Sequence, residues 1–135
     1  MPWIEAAVAT AAAGTIAAFT DWLFMGVLFH DRYDRHPEVW RDGIRAGRER
    51  GAILWSCALD YVSAGAIVFL CMWLGATAIW PALSVAVVVW IAGPLAMQIT
   101  NGLFIKFDPL LTLSHALGWL VRFLMAGLAA GIALP

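Results

Sequence analysis

The sequence predicts an all-α integral membrane fold, four transmembrane helices in an antiparallel bundle, on the strength of three observations. Hydrophobic residues make up 63% of the chain and charged residues 13%, with mean hydropathy +0.84, whereas a soluble domain carries roughly 25% charged residues. The apolar residues collect into four long runs, and most of the charges collect between those runs. A water-facing globule needs more polar surface than this, while helices facing lipid need little. The chain reads as one domain over residues 1–135.

Helix 1 is expected at about 4–29, longer than the roughly 20 residues that cross a hydrocarbon core of about 30 Å. Its start, MPWIE, carries an acid where a signal peptide has a basic n-region, so the segment is expected to be retained. Thr10, Gly14 and Ala18 recur every fourth position, a small-residue stripe suited to close helix packing or to a dimer face.

A loop of about 30–51 follows. Pro37 and Glu38 suit a first helical turn, and Val39, Trp40, Gly43, Ile44 and Gly47 then recur at helical spacing. This pattern predicts a short amphipathic helix lying at the membrane interface. Arg32, Arg35, Arg41, Arg45, Arg48 and Arg50 are interleaved with Asp31, Asp34, Glu38, Asp42 and Glu49. Such mixed charge describes a charge-paired connector rather than a polybasic patch for lipid or nucleic acid.

Helices 2, 3 and 4 are expected at about 52–74, 80–104 and 110–134, joined by two connections of about five residues. Short connections force antiparallel neighbours. Cys57 and Cys71 share helix 2, on the order of 21 Å apart at 1.5 Å per residue and outside disulfide reach. Pro94, beside Gly93 in helix 3, removes a backbone donor and predicts a local break in the ladder. Gly127 and Gly131 form a GxxxG pair in helix 4, again for bundle packing or a dimer.

Orientation follows from the basic residues. The first loop holds six arginines and the third holds Lys106, while the second has no charge. By the positive-inside rule, loops one and three face the cytoplasm and both termini face outward, across a bacterial inner (cell) membrane. Trp3, Trp73 and Trp80 would then mark the outer interface, and Trp22 and Trp55 the inner one.

The candidate functional residues are the polar side chains inside the apolar runs: Asp21, Asp60, Gln98, Asn101, His115 and Arg122. Each is costly in lipid unless partnered or hydrated. Asp60 and Arg122 lie at similar depth on different helices, so the simplest arrangement pairs them, with Asp21 joining His115 or Asn101. On that arrangement Asp60→Asn would leave Arg122 uncompensated. Two readings stay open, a set of buried bridges that fix helix register and a hydrated site with a protonatable carboxylate. Other chemistry finds little support. His30, Asp31, Asp34 and His36 match no strong metal motif, a single buried histidine would need a dimer to form a bis-histidine haem, and no cofactor signature or catalytic constellation occurs.

The run Asp21-Trp22-Leu23-Phe24-Met25-Gly26-Val27-Leu28-Phe29 with Trp40 after it resembles a family of small bacterial four-helix membrane proteins catalogued as a domain of unknown function. The stretches Asn101-Gly102-Leu103-Phe104-Ile105-Lys106 and His115-Ala116-Leu117-Gly118-Trp119-Leu120-Val121 are similar to that family's end. This sequence departs from it by Asp21-Trp22 in place of an aromatic pair and by a longer, Arg-rich first loop. The resemblance implies the four-helix fold and carries no activity. Small multidrug-resistance transporters offer an analogy in length and helix count, but Asp21 lies near the end of helix 1 rather than its middle. The expected function is therefore a non-enzymatic, structural or accessory membrane protein without cofactor, with a small proton-linked or anion and metabolite transporter as the alternative. Its expected surroundings are the lipid bilayer and a homodimer or larger membrane complex.

Overall fold

The computed structural model describes residues 2–35, 37–39, 41–106 and 108–135, with the side chains of Val39, Arg45 and Ala46 outside the description. Helix α1 runs Pro2–Leu28 and the short α2 runs His30–Arg35. Helices α3, Glu49–Leu74, α4, Ile79–Phe104, and α5, Pro109–Ala133, complete the chain. The four long helices are each long and apolar enough to cross a membrane, and among the described residues there is no strand. The chain is a multi-pass membrane protein, and its outer surface shows it: Phe104 is 85% exposed, Trp80 79% and Leu103 77%, side chains whose natural solvent is lipid.

Local chemistry explains each boundary. Helix α1 closes in a π turn, Phe24–Leu28, where the Phe29 amide donates to the Phe24 carbonyl. Helix α3 ends at Gly75, whose φ of 68° places it in the left-handed region. The Gly75 amide donates to the Met72 carbonyl and the Ala76 amide to the Cys71 carbonyl, the paired bonds of a Schellman motif. In α4 the expected break appears as a π turn, Ile91–Leu95, around Pro94, because proline brings no amide to the ladder. Helix α5 starts with Asp108 accepting from the Leu110 amide at 2.7 Å and with Pro109 in its first turn, a cap that satisfies an otherwise orphan donor.

The first loop differs from its predicted form. Instead of one amphipathic helix from Pro37 onward, the chain forms α2 before Pro37, a single 3₁₀ turn at Pro37–Val39 and a π turn at Ile44–Arg48 leading into α3. Gly43 and Gly47, counted as members of an apolar face, instead have φ of 78° and 115°. A left-handed residue interrupts a right-handed helix, so the two glycines break the periodicity that the spacing suggested. Trp40, the intended anchor of that face, lies outside the described residues.

Helix α5 is the hub. It packs against α1, α3 and α4, and α1 also packs against α3. Although α3 and α4 are consecutive and joined by a short turn, they barely touch, and α4 leans on α5 instead. Small residues make these seams. Ala6, Ala9, Ala13 and Ala17 form the buried stripe of α1, one position away from the expected Thr10–Gly14–Ala18 row, and only Gly14 of that row is fully buried. A side chain at Gly14 would collide with the ring of Tyr61 on α3. One at Gly127 would lie 2.8 Å from the Ala82 carbonyl oxygen, and one at Gly131 2.6 Å from the Ile79 Cα, both on α4. All three glycines therefore serve packing within the chain, where backbones approach without intervening side chains.

Gly131→Ala must push the α4 backbone away, which overpacking data put at about 1–3 kcal/mol, whereas a side chain at Gly51 meets nothing within 4 Å. Thermal unfolding in detergent is expected to show a lower midpoint for Gly131→Ala and an unchanged or raised one for Gly51→Ala.

Candidate functional site

Arg122 occupies the middle of α5, surrounded by apolar turns. Helical side chains lean toward the helix N-terminus, which for α5 is the end holding Asp108 and Pro109. The guanidinium is therefore carried back over its own preceding turn, and it lies 4.1 Å from the centre of the Trp119 ring. That lean also brings it level with Asp21, which sits in the last third of α1.

Two carboxylates meet it there. Arg122 Nη2 donates to Asp21 Oδ1, and Arg122 Nη1 lies 3.0 Å from Asp60 Oδ1. Arg122 and Asp60 are buried, with side-chain exposures of 8% and 1%, and Asp21 is 15% exposed. The other oxygen of Asp21 accepts from the Ser56 hydroxyl at 3.4 Å. Asp60 is less well served: its contact with Arg122 lacks hydrogen-bond alignment, and Oδ2 has no partner among the described residues. Arg122 Nε likewise has none. Three helices, α1, α3 and α5, thus each give one charged group to a single cluster, and its stoichiometry is two acids to one base.

Beside the cluster lies a cavity of about 10 Å³, lined by Asp21, Phe24, Ser114, His115, Trp119 and Arg122 among others, a volume that admits about one water. Helix α2 meets the cavity lining at His115. The Tyr33 hydroxyl and His115 Nε2 are 2.8 Å apart, with the two rings edge to face. Burial pushes the Tyr33 phenol above its usual range, so it stays a neutral hydroxyl. Arg32 Nη1 reaches Asp108 at 3.6 Å, which ties the first loop to the third and places both at one end of the bundle. Deeper, the Trp90 indole donates to the Ala116 carbonyl at 2.8 Å, pinning α4 to α5.

The expected Asp60–Arg122 pair is present. Asp21, expected to turn to His115 or Asn101, binds Arg122 instead, and His115 turns to Tyr33. Gln98 and Asn101 stand apart: both are half-buried on α4, which touches neither α1 nor α3 appreciably, and among the described residues neither side chain bonds to the cluster. Sequence reasoning missed Tyr33 because its neighbours Asp31, Arg32, Asp34 and Arg35 mark it as loop. The signal it did carry was a single aromatic hydroxyl among charged residues. No grouping of His, Cys, Asp or Glu among the described residues could hold a metal ion.

The second carboxylate alters the expected effect of substitution. Asp60→Asn leaves Arg122 still paired with Asp21, one acid to one base, whereas Arg122→Met strands both carboxylates, that of Asp60 fully buried. Breaking a buried pair costs about 3–5 kcal/mol, so Arg122→Met is expected to fall in that range and Asp60→Asn well below it. Thermal midpoints of the two variants in one detergent check the order.

Comparison with protein-family models, with curated proteins and with solved structures returned no match to this chain.

Proposed function

We propose that this chain is a non-enzymatic, structural or accessory protein of a bacterial cell membrane, whose buried polar cluster holds α1, α3 and α5 against one another. The observation that supports this reading is the engagement of both terminal nitrogens of Arg122 by carboxylates of two other helices. A carrier of anions needs a cation its substrate can reach and a cavity the substrate can enter. Here the guanidinium is already bound, and the adjoining cavity has the size of one water. Buried ion pairs of this kind fix which residues of neighbouring helices face each other, because every misregistered alternative leaves a charge alone in an apolar medium. The alternative, a proton-linked or anion carrier working through Asp21 or Asp60, draws its support from the one carboxylate in excess.

The experiment is charge movement in proteoliposomes on a solid-supported membrane, under gradients of small anions and metabolites. No substrate-driven current is expected from the wild type. A current that appears with one solute and vanishes in a folded Asp60→Asn variant would overturn the accessory reading in favour of transport.

In this reading the end of the bundle carrying α2 and Lys106 faces the cytoplasm and both termini face outward, on the strength of the arginines in the first loop. Fusion of a reporter that matures only outside the cytoplasm to the C-terminus is expected to give active reporter. Activity only from a fusion in the first loop would reverse the orientation.

A further inference from the structure

We infer that the Asp21–Arg122–Asp60 cluster is a proton-binding site, holding one proton between its two carboxyl groups and exchanging it through the adjoining one-water cavity. The inference stands whether or not the chain carries a substrate. The elements around the cluster differ in the titratable groups they turn toward it. Helix α1 contributes Asp21, α3 contributes Asp60, and α5 contributes Arg122 and His115; α2 contributes Tyr33, a neutral phenol. Helix α4 has no acidic, basic, histidine or tyrosine residue anywhere along its length. With both carboxyls ionised the site is left with one uncompensated negative charge deep in an apolar bundle. With one proton bound the charges balance.

Geometry says where such a proton fits and how it is reached. Asp60, 1% exposed, turns one oxygen to Arg122 and leaves the other without a partner among the described residues, an arrangement that suits a protonated carboxyl as well as an ionised one. Arg122 Nε, also buried and without a hydrogen-bond partner, belongs to a side chain that lines the cavity together with Asp21, Ser114 and His115. A water there can accept from Arg122 Nε and donate to a carboxylate oxygen. The entering hydronium gives its proton to the carboxylate and remains as water, so the site passes from one net negative charge to none. His115, partly exposed and held by Tyr33 at 2.8 Å, stands between the cavity and the loop end of the bundle. Because the two carboxyls share one guanidinium, the proton belongs to the pair rather than to either residue.

The stoichiometry makes the site testable by infrared spectroscopy of the full chain in lipid nanodiscs at neutral pH, where a protonated carboxyl shows a carbonyl band that shifts in D₂O. The wild type is expected to show one such band. Asp21→Asn and Asp60→Asn, each leaving one acid opposite Arg122, are both expected to lose it, and Arg122→Met is expected to gain about twice the intensity. These outcomes separate proton binding from a staple of permanently ionised groups, which gives no band in the wild type. A wild type without the band, or a band that survives in both aspartate variants, overturns the site. Gly118 borders the cavity and has nothing within 4 Å of an added Cβ, so Gly118→Ala adds a methyl group at the cavity's edge without displacing a neighbour. That variant is expected to keep the band and slow its shift in D₂O several-fold; an unchanged exchange rate overturns the cavity as the route.

Discussion

A guanidinium in the middle of an apolar helix must find its counter-charges inside the protein, and much of this bundle follows from where Arg122 finds them. The lipid at that depth supplies no counter-charge, so the alternatives to pairing are an unpaired charge or a long reach to the interface. The lean of Arg122 toward the start of α5 carries the charge partway, and Asp21 and Asp60 meet it from α1 and α3. Once those contacts are made, rotating or sliding any one of the three helices separates opposite charges in a medium that screens them poorly. The cluster therefore sets register for the three helices together rather than for a single pair. It also explains the position of α5 as the hub, since this helix alone carries the shared base.

Close packing then operates within that register. Between α4 and α5 the backbones meet at Gly127 and Gly131 without intervening side chains, and alanines line the seam of α1. In lipid such contacts draw on dispersion and the exclusion of acyl chains rather than on hydrophobic burial, so shape fit matters more than apolar area. Helix α4 shows the consequence of having only this resource. With no charged residue to offer the cluster, it is held by small-residue contact and by the Trp90 indole bond to Ala116, and it leaves α3 almost untouched despite the short turn between them.

The first loop closes the charged end. Asp108 caps α5 and also receives Arg32, while Tyr33 turns inward to His115. One short helix thus packs on His115, one of the residues that line the cavity beside Arg122. The arginines of this loop had appeared as a property of the loop alone. In the folded chain one of them serves to hold α2 where Tyr33 can reach the bundle.

The sequence by itself determined the four spans, the break in α4 and the existence of a polar problem inside them. Hydropathy, Asp108-Pro109 ahead of α5, Gly75 after α3 and Pro94 within α4 act over a few residues, so their effects are written where they occur. The pairing of Asp60 with Arg122 was also legible, because depth along a helix can be counted. Only the tertiary structure decided that Asp21 joins the same arginine, that His115 turns to Tyr33, that Gln98 and Asn101 lie outside the cluster, and that Gly43 and Gly47 break the helix expected in the loop. Counting residues gives depth and leaves rotation undetermined. Which face of one helix meets which face of another is set by small-residue seams and by the balance of charge across all of them at once, and no single segment contains that information.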